Sequence, residues 1–560
     1  MNTLLISQLA NYFSGLGFNE THILAGGKKE GVKWTTLRHS GVLFPSEYVS
    51  HNIPISYGSH KIQLPPAAEE MATHYAKYID TEYIKLKQFN RNFWLDWKKM
   101  LPKDTVIMNL EGCDFTAIYN HVLKTRESKK TVSAEEKQRV KEARDKLEGK
   151  YRFCTIDNVE QPVGNFKVEP CGIFIGRGCH PKLGRIKRRI YPEDVTLNLD
   201  ENAPIPAIQA DLKGHKWGTI IHDHTVDWLA SYKDEITSKI KYVWLGDKSD
   251  SKAEKDLQKF ELARKLKTRI GRIRKANDEN IKSDDLKLRQ LGCALYFIDE
   301  LALRVGNEKS SDQVDTVGVS TLRVEHIKLL GDYEIKMDFP GKDTIRFNKK
   351  IKVSELIYKI IADCMKDKSN KDQLFNLIDS ADINKYLQAF MKNLTARVFR
   401  TYNASNMFQN DLNRISKKYD EYSESDKINI LLDEVNRANL RVAELCNHQR
   451  AISKTFNAQV DKLKNKIDEL KKKKKQYKLA GKHTDKIKKI DDMIKKLKVQ
   501  LDLKIDLKSL SLGTSKINYI DARISVSFMK RHGIPYDKFF STALMERFRW
   551  AFEIDANWSF

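Results

Sequence analysis

Four basic residues stand in short, sharply bounded segments, and their side chains can bind an anion. They are Arg304, Lys342, Arg400 and His448. Arginine offers a planar, permanently charged fork that fits oxyanions, and lysine and histidine can also transfer protons. Taken singly, each has an ordinary structural explanation: a cation at a helix end, a turn lysine, an ion-paired arginine and a hydrogen-bonded histidine. A fifth residue, Tyr519 in the segment 515–521 (SKINYID), offers a hydroxyl nucleophile.

Motifs that would indicate other chemistry are incomplete. The sequence contains no GxxxxGK[ST] loop for a nucleoside triphosphate. The string at 176–178 (GRG) lacks the third glycine at the dinucleotide-binding spacing. His222 with His224, and Cys446 with His448, are pairs without a second half-site. We therefore predict neither a nucleotide cofactor nor a metal.

The charge balance indicates a polyanionic partner. Lys and Arg total 100 against 75 Asp and Glu, a formal net charge of +25. Neutralising phosphates releases condensed counterions and drives association. An anionic membrane surface would fit the charge alone, but no apolar run approaches the roughly 20 residues needed to span a bilayer. We therefore favour nucleic acid. The seven cysteines are scattered and include no CxxC pair, which predicts a reducing compartment.

The candidate residues are distributed over a chain long enough for several domains. Residues 1–240 alternate short strand-like runs with turns and a few helices, and the first 13 residues predict a short amphipathic helix. Helical periodicity begins at about residue 255, and an apolar face over 286–301 ends just before Arg304. A strand pair over 333–339 and 344–347 carries Lys342 in its turn. Helices resume over 353–450.

Two heptad stripes lie between His448 and Tyr519. Apolar residues recur by fours and threes over 456–477 and again over 487–501, with a glycine-containing turn between them. This pattern predicts an antiparallel coiled-coil hairpin. Its lysines, including five in a row at 471–475, are consistent either with a solvated helix face or with DNA contact. The segment from Ser511 onward predicts a compact helical domain rich in aromatic residues.

Taken together, the five candidates resemble the catalytic set of eukaryotic-type DNA topoisomerase IB. The resemblance extends from about residue 31 to 560, and its most specific element is the SKINYID segment. The other segments that carry it are 165–170 (NFKVEP), 176–182 (GRGCHPK), 187–190 (KRRI), 192–194 (PED), 315–318 (DTVG) and 322–327 (LRVEHI).

The resemblance implies a chemical role for each of the five residues. Tyr519 is the nucleophile that attacks a DNA phosphodiester and forms a 3′-phosphotyrosyl link. Arg304, Arg400 and His448 stabilise the charge on the phosphate, and Lys342 is the general acid for the 5′ leaving oxygen. The implied function is ATP-independent relaxation of supercoils, with no required cofactor and a divalent cation at most stimulatory.

The resemblance also implies double-stranded DNA as the partner and a set of further DNA contacts. These contacts are Asn165, Lys167, Arg177, His180, Lys182, Lys187, Arg188, Asn307, Lys309, Asp343, Tyr402 and Asn518. Three of them, Arg177, Asp343 and Asn518, also resemble the pocket where camptothecin-type poisons stack.

The implied fold is an α+β multidomain protein, a bilobed DNA clamp that acts as a monomer. The expected parts are a mixed α/β cap lobe over 1–240 and a mainly helical catalytic lobe over 241–452, related to tyrosine recombinases. A coiled-coil linker over 453–507 and a small helical C-terminal domain over 508–560 complete it. The function implies a nuclear location, with a cytoplasmic viral replication site as the alternative. A site-specific tyrosine recombinase and a catalytically inactive DNA-binding scaffold are the competing functions.

Overall fold

The computed structural model describes residues 31–176, 178, 180–309, 314–419, 424–450, 452–453, 455–479 and 484–560. The helix predicted over the first 13 residues lies outside this part of the chain. The chain divides into two compact units, the first ending at Glu254 and the second beginning at Lys255. The first unit includes the strand Ile240–Val243, which pairs with its neighbour Ala230–Lys233.

The first unit contains short strands and four helices among its described residues. The strands are β1 Leu37–His39, β2 Ile55–Tyr57, β3 His60–Ile62, β4 Cys113–Asp114, β5 Phe153–Ile156, β6 Val159–Pro162, β7 Gly172–Ile173, β8 Ile186–Lys187, β9 Val195–Asn198, β10 Thr219–Ile221, β11 Ala230–Lys233 and β12 Ile240–Val243. The helices are α1 Pro66–Ala76, α2 Lys87–Trp97, α3 Thr116–Thr131 and α4 Ala134–Gly149. Helix α1 begins with proline at its first position, where the missing N–H costs nothing.

Small sheets in the first unit surround two separate cores. The strand orders are β1-β5-β6, β10-β9-β11-β12, β3-β2-β4 and β7-β8, and β9 with β10 is the parallel pair. One core packs around Trp34, Val195 and Leu197. The other packs α1 and α2 together through Phe89, Phe93 and Trp97. Each of the two cores buries large aromatic or branched side chains, and this burial stabilises the sheets and helices packed around it.

The second unit is mainly helical and has one three-stranded sheet among its described residues. The helices are α5 Asp250–Lys282, which begins in the first unit, α6 Leu286–Asp299, α7 Glu355–Met365, α8 Ser380–Gln388, α9 Ala396–Tyr419, α10 Glu424–Leu445, α11 Phe456–Leu479, α12 Thr484–Asp506, α13 Leu512–Asn518, α14 Ala522–His532 and α15 Thr542–Arg547. The sheet is antiparallel and consists of β13 Ile327–Leu329, β14 Glu334–Pro340 and β15 Arg346–Lys352. A single hydrophobic core joins α6, α9 and α10 to α14.

Helices α11 and α12 pair as an antiparallel hairpin, as the heptad stripes predict. Ile467, Ile490 and Ile494 are buried at their contact. Near the turn, the ammonium of Lys486 lies 5.7 Å from the ring centroid of Tyr477, and Lys474 pairs with Asp491. The apolar contact between the two helices is narrow, and their outer faces are rich in lysine. Burial of this narrow contact is therefore the main apolar stabilisation of the hairpin.

Candidate active site

Tyr519 lies at the C-terminal end of α13, where the helix stops. Its backbone N–H donates to the carbonyl oxygen of Ser515, and the next residue, Ile520, donates to the same oxygen. Its half-buried side chain packs against the core of the second unit. The hydroxyl accepts a hydrogen bond from Arg304 Nη2 at 3.3 Å. The nucleophile candidate therefore has a fixed backbone and a cation at its oxygen.

Arg304 lies in a tight loop after α6. Two glycines, Gly306 and Gly318, meet there, and a Cβ on Gly306 would lie 2.8 Å from the Cα of Gly318. Gly306 also has a φ of +87°, which only glycine adopts at low cost. This close approach lets Val319 N–H donate to the carbonyl of Arg304 at 2.9 Å. The two glycines of the segments 304–309 and 315–318 therefore fix the backbone that carries Arg304.

Arg400 reaches the same place from helix α9. Its guanidinium is 5% exposed and donates to the carbonyl oxygens of Ala302, at 2.8 Å, and of Cys446. The guanidinium carbon lies 5.1 Å from the ring centroid of Tyr519, a cation–π distance. Burial lowers the pKa of Arg400. Ala302, whose carbonyl accepts from Arg400, has a φ of +49°, which is an uncommon conformation for a residue with a side chain.

His448 closes the cluster from the segment after α10. Its ring stacks on that of Tyr519, with centroids 5.3 Å apart at 26°. Nδ1 lies 2.7 Å from Ser515 Oγ, and Nε2 is buried without a hydrogen-bond partner among the described residues. Burial, together with the charges of Arg400 and Arg304, lowers the pKa of His448 to about 3. The imidazole is therefore neutral at physiological pH.

Lys342 is exposed in the turn between β14 and β15. The base of this hairpin is tied to both neighbouring segments: Val317 N–H donates to Pro340 O at 2.8 Å, and Asn447 Nδ2 donates to Arg346 O at 3.4 Å. The structure thus brings Arg304, Arg400, His448 and Tyr519 into one cluster. Lys342 projects from a hairpin anchored beside the segments that carry Arg304 and His448.

The cluster can hold an anion against a nucleophilic oxygen. Two guanidiniums and one neutral imidazole N–H are all donors, and the phenol faces them. Fixed donors of this kind stabilise negative charge that develops in a transition state, because they need no reorganisation when the charge appears. Arginine forks suit phosphate oxygens in particular. The geometry therefore fits attack of a tyrosine on a phosphodiester.

The predicted DNA contacts of the first unit lie mostly in polar networks. Lys167 pairs with Glu148 at 2.5 Å, Lys187 with Glu169 at 2.7 Å, and Arg188 binds Asp194 with both guanidinium nitrogens. The remaining members are likewise bonded within the unit. The Asn165 side chain donates to Tyr242 O and accepts from Trp244 N–H. His180 Nδ1 accepts from Lys182 N–H, and Lys182 Nζ donates to Ile236 O. Arg177 lies outside the described residues.

The predicted contacts of the second unit differ in exposure. Asn307, Lys309, Asp343 and Asn518 are exposed, and Asp343 has a φ of +64° beside Lys342. Tyr402 is 5% exposed and belongs to the hydrophobic core. Its side chain therefore has little surface to offer a partner. Of the three residues of the predicted inhibitor pocket, Asp343 and Asn518 are described and both are exposed.

Sequence reasoning missed two serines that hold the nucleophile segment. Ser515 contacts His448, and Ser405 of α9 donates to Tyr519 O at 2.9 Å while accepting from Asp521 N–H at 3.1 Å. Both serines are fully buried. A buried serine bonded across more than 60 residues leaves no periodic signal, although Ser515 lies in the segment SKINYID that the sequence analysis singled out.

One group of potential metal ligands occurs among the described residues, in the first unit. It comprises Glu70, His74 and Cys171. Arg189 already pairs with Glu70 at 2.8 Å, and Lys77 Nζ lies 3.2 Å from His74 Nδ1. Glu70 and His74 thus already contact cationic side chains, and the positive charge of these side chains would repel a metal ion. We therefore assign the group a structural role. Within the described part of the chain, the helices include none with the length and apolarity to span a membrane.

Comparison with known proteins assigns the class. Residues 32–245 match the family described as eukaryotic DNA topoisomerase I, DNA binding fragment. Residues 248–480 match its catalytic core, and residues 491–560 match the C-terminal topoisomerase domain. The chain belongs to the eukaryotic DNA topoisomerase I family.

Named relatives come from plants and animals. The chain is 41% identical to DNA topoisomerase 1 beta of Arabidopsis thaliana, a match covering 94% of this chain and 59% of the relative. It is 39% identical to DNA topoisomerase 1 of Mus musculus and of Homo sapiens, covering 95% of this chain and 72% of each relative. The chain thus spans under two thirds of the plant relative. The family resemblance predicted from the sequence is confirmed.

Proposed function

We propose that this chain is a type IB DNA topoisomerase that relaxes positive and negative supercoils. Double-stranded DNA would be its substrate, and Tyr519 would cut one strand transiently. The observation that supports this best is the cluster around Tyr519: Arg304 donates to its hydroxyl, Arg400 lies over its ring and His448 stacks on it. Family membership supports the same activity over that of a site-specific recombinase or an inactive scaffold.

The proposed reaction is a transesterification. The Tyr519 oxygen attacks the phosphorus, its proton leaves, and the bond to the 5′ oxygen breaks, giving a 3′-phosphotyrosyl link. A free tyrosine has a pKa of about 10, so negative charge must be stabilised as the proton is lost. Arg304, Arg400 and His448 would bind the non-bridging oxygens, where removing one preorganised donor typically costs on the order of 10²–10³ in rate.

Lys342 is the proposed general acid for the 5′ leaving oxygen. Its exposed position on an anchored hairpin suits a residue that must reach bound DNA. Religation reverses these steps, with the 5′ hydroxyl attacking the phosphotyrosine. Since the covalent link retains the phosphoester, the cycle needs no ATP. The guanidiniums supply positive charge at the phosphate, so we propose no required metal, with a divalent cation at most stimulatory.

We also propose the family's architecture and contacts for this chain. Residues 1–240 would form the cap lobe of a monomeric DNA clamp, and residues 241–452 a catalytic lobe related to tyrosine recombinases. Residues 453–507 would be a coiled-coil linker that slows strand rotation, and residues 508–560 the domain that delivers Tyr519. Arg177, Asp343 and Asn518 would form the camptothecin-type inhibitor pocket. The nucleus is the proposed location, with a cytoplasmic viral replication site as the alternative.

Plasmid relaxation tests the proposed function. With EDTA and without ATP, the wild type should relax plasmids of either supercoil sign, whereas Tyr519→Phe should relax neither, because it lacks the attacking oxygen. The variant should still bind DNA, since the cationic cluster is unchanged. Equal relaxation by the two proteins would exclude Tyr519 as the nucleophile, and no relaxation by the wild type would overturn the function.

A further inference from the structure

The hydrogen bond between Ser515 and His448 has a defined direction. Ser515 is fully buried, and its Oγ bonds His448 Nδ1 at 2.7 Å and has no other hydrogen-bond partner among the described residues. If Nδ1 carried the proton and donated it, the hydroxyl hydrogen would be left buried without an acceptor, which is costly. If the hydroxyl donates to Nδ1, the unpaired N–H lies instead on Nε2, where under the proposed function a phosphate oxygen accepts from it. The second arrangement is therefore favoured.

This direction determines where the imidazole proton lies. A neutral imidazole has one N–H donor and one acceptor nitrogen, and His448 is neutral because burial and two neighbouring guanidiniums lower its pKa. With Nδ1 accepting from Ser515, the proton must lie on Nε2. That atom is buried and has no hydrogen-bond partner among the described residues. An N–H without a partner in a cationic cluster is suited to an anionic oxygen.

The element that carries the nucleophile also carries this hydroxyl. Ser515 lies in α13, and its carbonyl accepts from the N–H groups of Tyr519 and Ile520. Ser511, just before α13, donates its N–H to the carbonyl of His448 at 2.8 Å. Helix α13 therefore fixes the histidine at both its ring and its backbone when it delivers the tyrosine.

We propose that Ser515 is a positioning residue of the cleavage reaction: its hydroxyl donates to His448 Nδ1 and so keeps Nε2 as the donor to a non-bridging phosphate oxygen. The proposal rests on the proposed function. Partners that set the tautomer and orientation of a metal-ligating histidine typically contribute 10- to 100-fold to metal affinity or activity, and we expect an effect of the same order for a histidine that donates to a phosphate. Ser515 would act through His448 and need not touch the substrate.

The test is single-turnover formation of the covalent complex on a duplex whose cleaved end dissociates. Ser515→Ala should slow cleavage about 10- to 100-fold, with DNA affinity within about twofold of wild type. Ser515→Cys is close to serine in volume but is a weak donor, so its cleavage should be slowed similarly. This second variant provides the test if Ser515→Ala does not fold. Ser527→Ala is the matched control, since this buried serine bonds only within its own helix, at Ile524 O. Its cleavage rate should match wild type.

A double-variant cycle separates the positioning role from simple structural support. In His448→Gln the amide donates without depending on a tautomer, so adding Ser515→Ala should cost less than about threefold. The same large loss in both backgrounds would show that Ser515 merely supports α13. Wild-type cleavage rates in both Ser515→Ala and Ser515→Cys would overturn the proposal while leaving the proposed function intact. A wild-type protein that forms no covalent complex would instead overturn the function.

Discussion

The hydroxyl of Tyr519 has Arg304 as its one hydrogen-bond partner among the described residues. A guanidinium has no acceptor, so it cannot take the phenol proton. Under the proposed function, its contribution would be positive charge beside the oxygen as negative charge develops there. Under the proposed function, attack by Tyr519 would therefore depend on charge stabilisation more than on a side-chain base.

Lys342 can be tested with a modified leaving group. Lys342→Ala should slow cleavage of ordinary DNA strongly, because the 5′ alkoxide then leaves without a proton. A substrate with sulfur at the 5′-bridging position should be affected much less, since a thiolate is a far better leaving group. Single-turnover cleavage rates on both substrates provide the measurement. Similar slowing on both would contradict the general-acid role.

His448 should give the stability of the protein a specific pH dependence. Its pKa is about 3 when folded, against an ordinary value of 6.5. Between these values the unfolded chain binds a proton that the folded imidazole does not, so stability falls as the pH drops below about 6.5. From pH 7 to pH 5, wild type should lose about 2 kcal/mol more than His448→Gln. Urea unfolding at the two pH values checks this, and equal losses would contradict a neutral folded His448.

At the scale of elements, α14 is anchored by a buried ion pair. Asp521 caps the helix by accepting from Arg523 N–H, and its carboxylate pairs with the Arg523 guanidinium at 2.8 Å. Arg523 also binds Glu261 of α5 at 2.6 Å. Burial raises the pKa of Asp521, whereas Arg523 opposes that shift. The final aspartate of SKINYID is thus part of the anchor that follows the nucleophile.

Removing this anchor should destabilise the C-terminal region. Arg523→Met leaves Asp521 buried and unpaired, and breaking a buried pair in this way typically costs about 3–5 kcal/mol. Cleavage should slow as well, because Tyr519 precedes Asp521 by two residues. Thermal unfolding gives the stability, and Arg531→Met, on the exposed end of the same helix, is the control. A stability loss no larger than that of the control would contradict the anchor.

Sequence patterns predicted some elements better than others. The hairpin α11–α12 follows its heptads closely. The strand pair was expected over 333–339 and 344–347, but β15 continues to Lys352. The sequence did not predict this extension because residues 348–350 and 352 are exposed and polar and show no apolar alternation. The four residues that cluster around Tyr519 and include it were identified by motif. The carbonyl contacts of Arg400 were not, since they depend on positive φ at Ala302 and on residues 46 and 98 positions away.

At the scale of the whole molecule, the formal charge of +25 predicts that binding to DNA weakens with salt. Each phosphate neutralised contributes about −0.9 to the slope of log affinity against log salt. With roughly six or more phosphate contacts, the affinity of Tyr519→Phe for duplex DNA should fall about 10³-fold or more between 50 and 200 mM salt. Fluorescence anisotropy measures this. A nearly flat dependence would contradict phosphate binding as the main source of affinity.

The distribution of the cluster along the chain has a consequence for synthesis. Arg304, Arg400 and His448 precede the α11–α12 hairpin, whereas Ser515 and Tyr519 follow it. Under the proposed function, a nascent chain that ends within the hairpin contains the donors for a phosphate but lacks the tyrosine that would attack it. Such a truncated product would be unable to leave a protein-linked break in DNA. If Tyr519 cleaves DNA as proposed, the order of the residues makes strand cleavage the last capability that the growing polypeptide acquires.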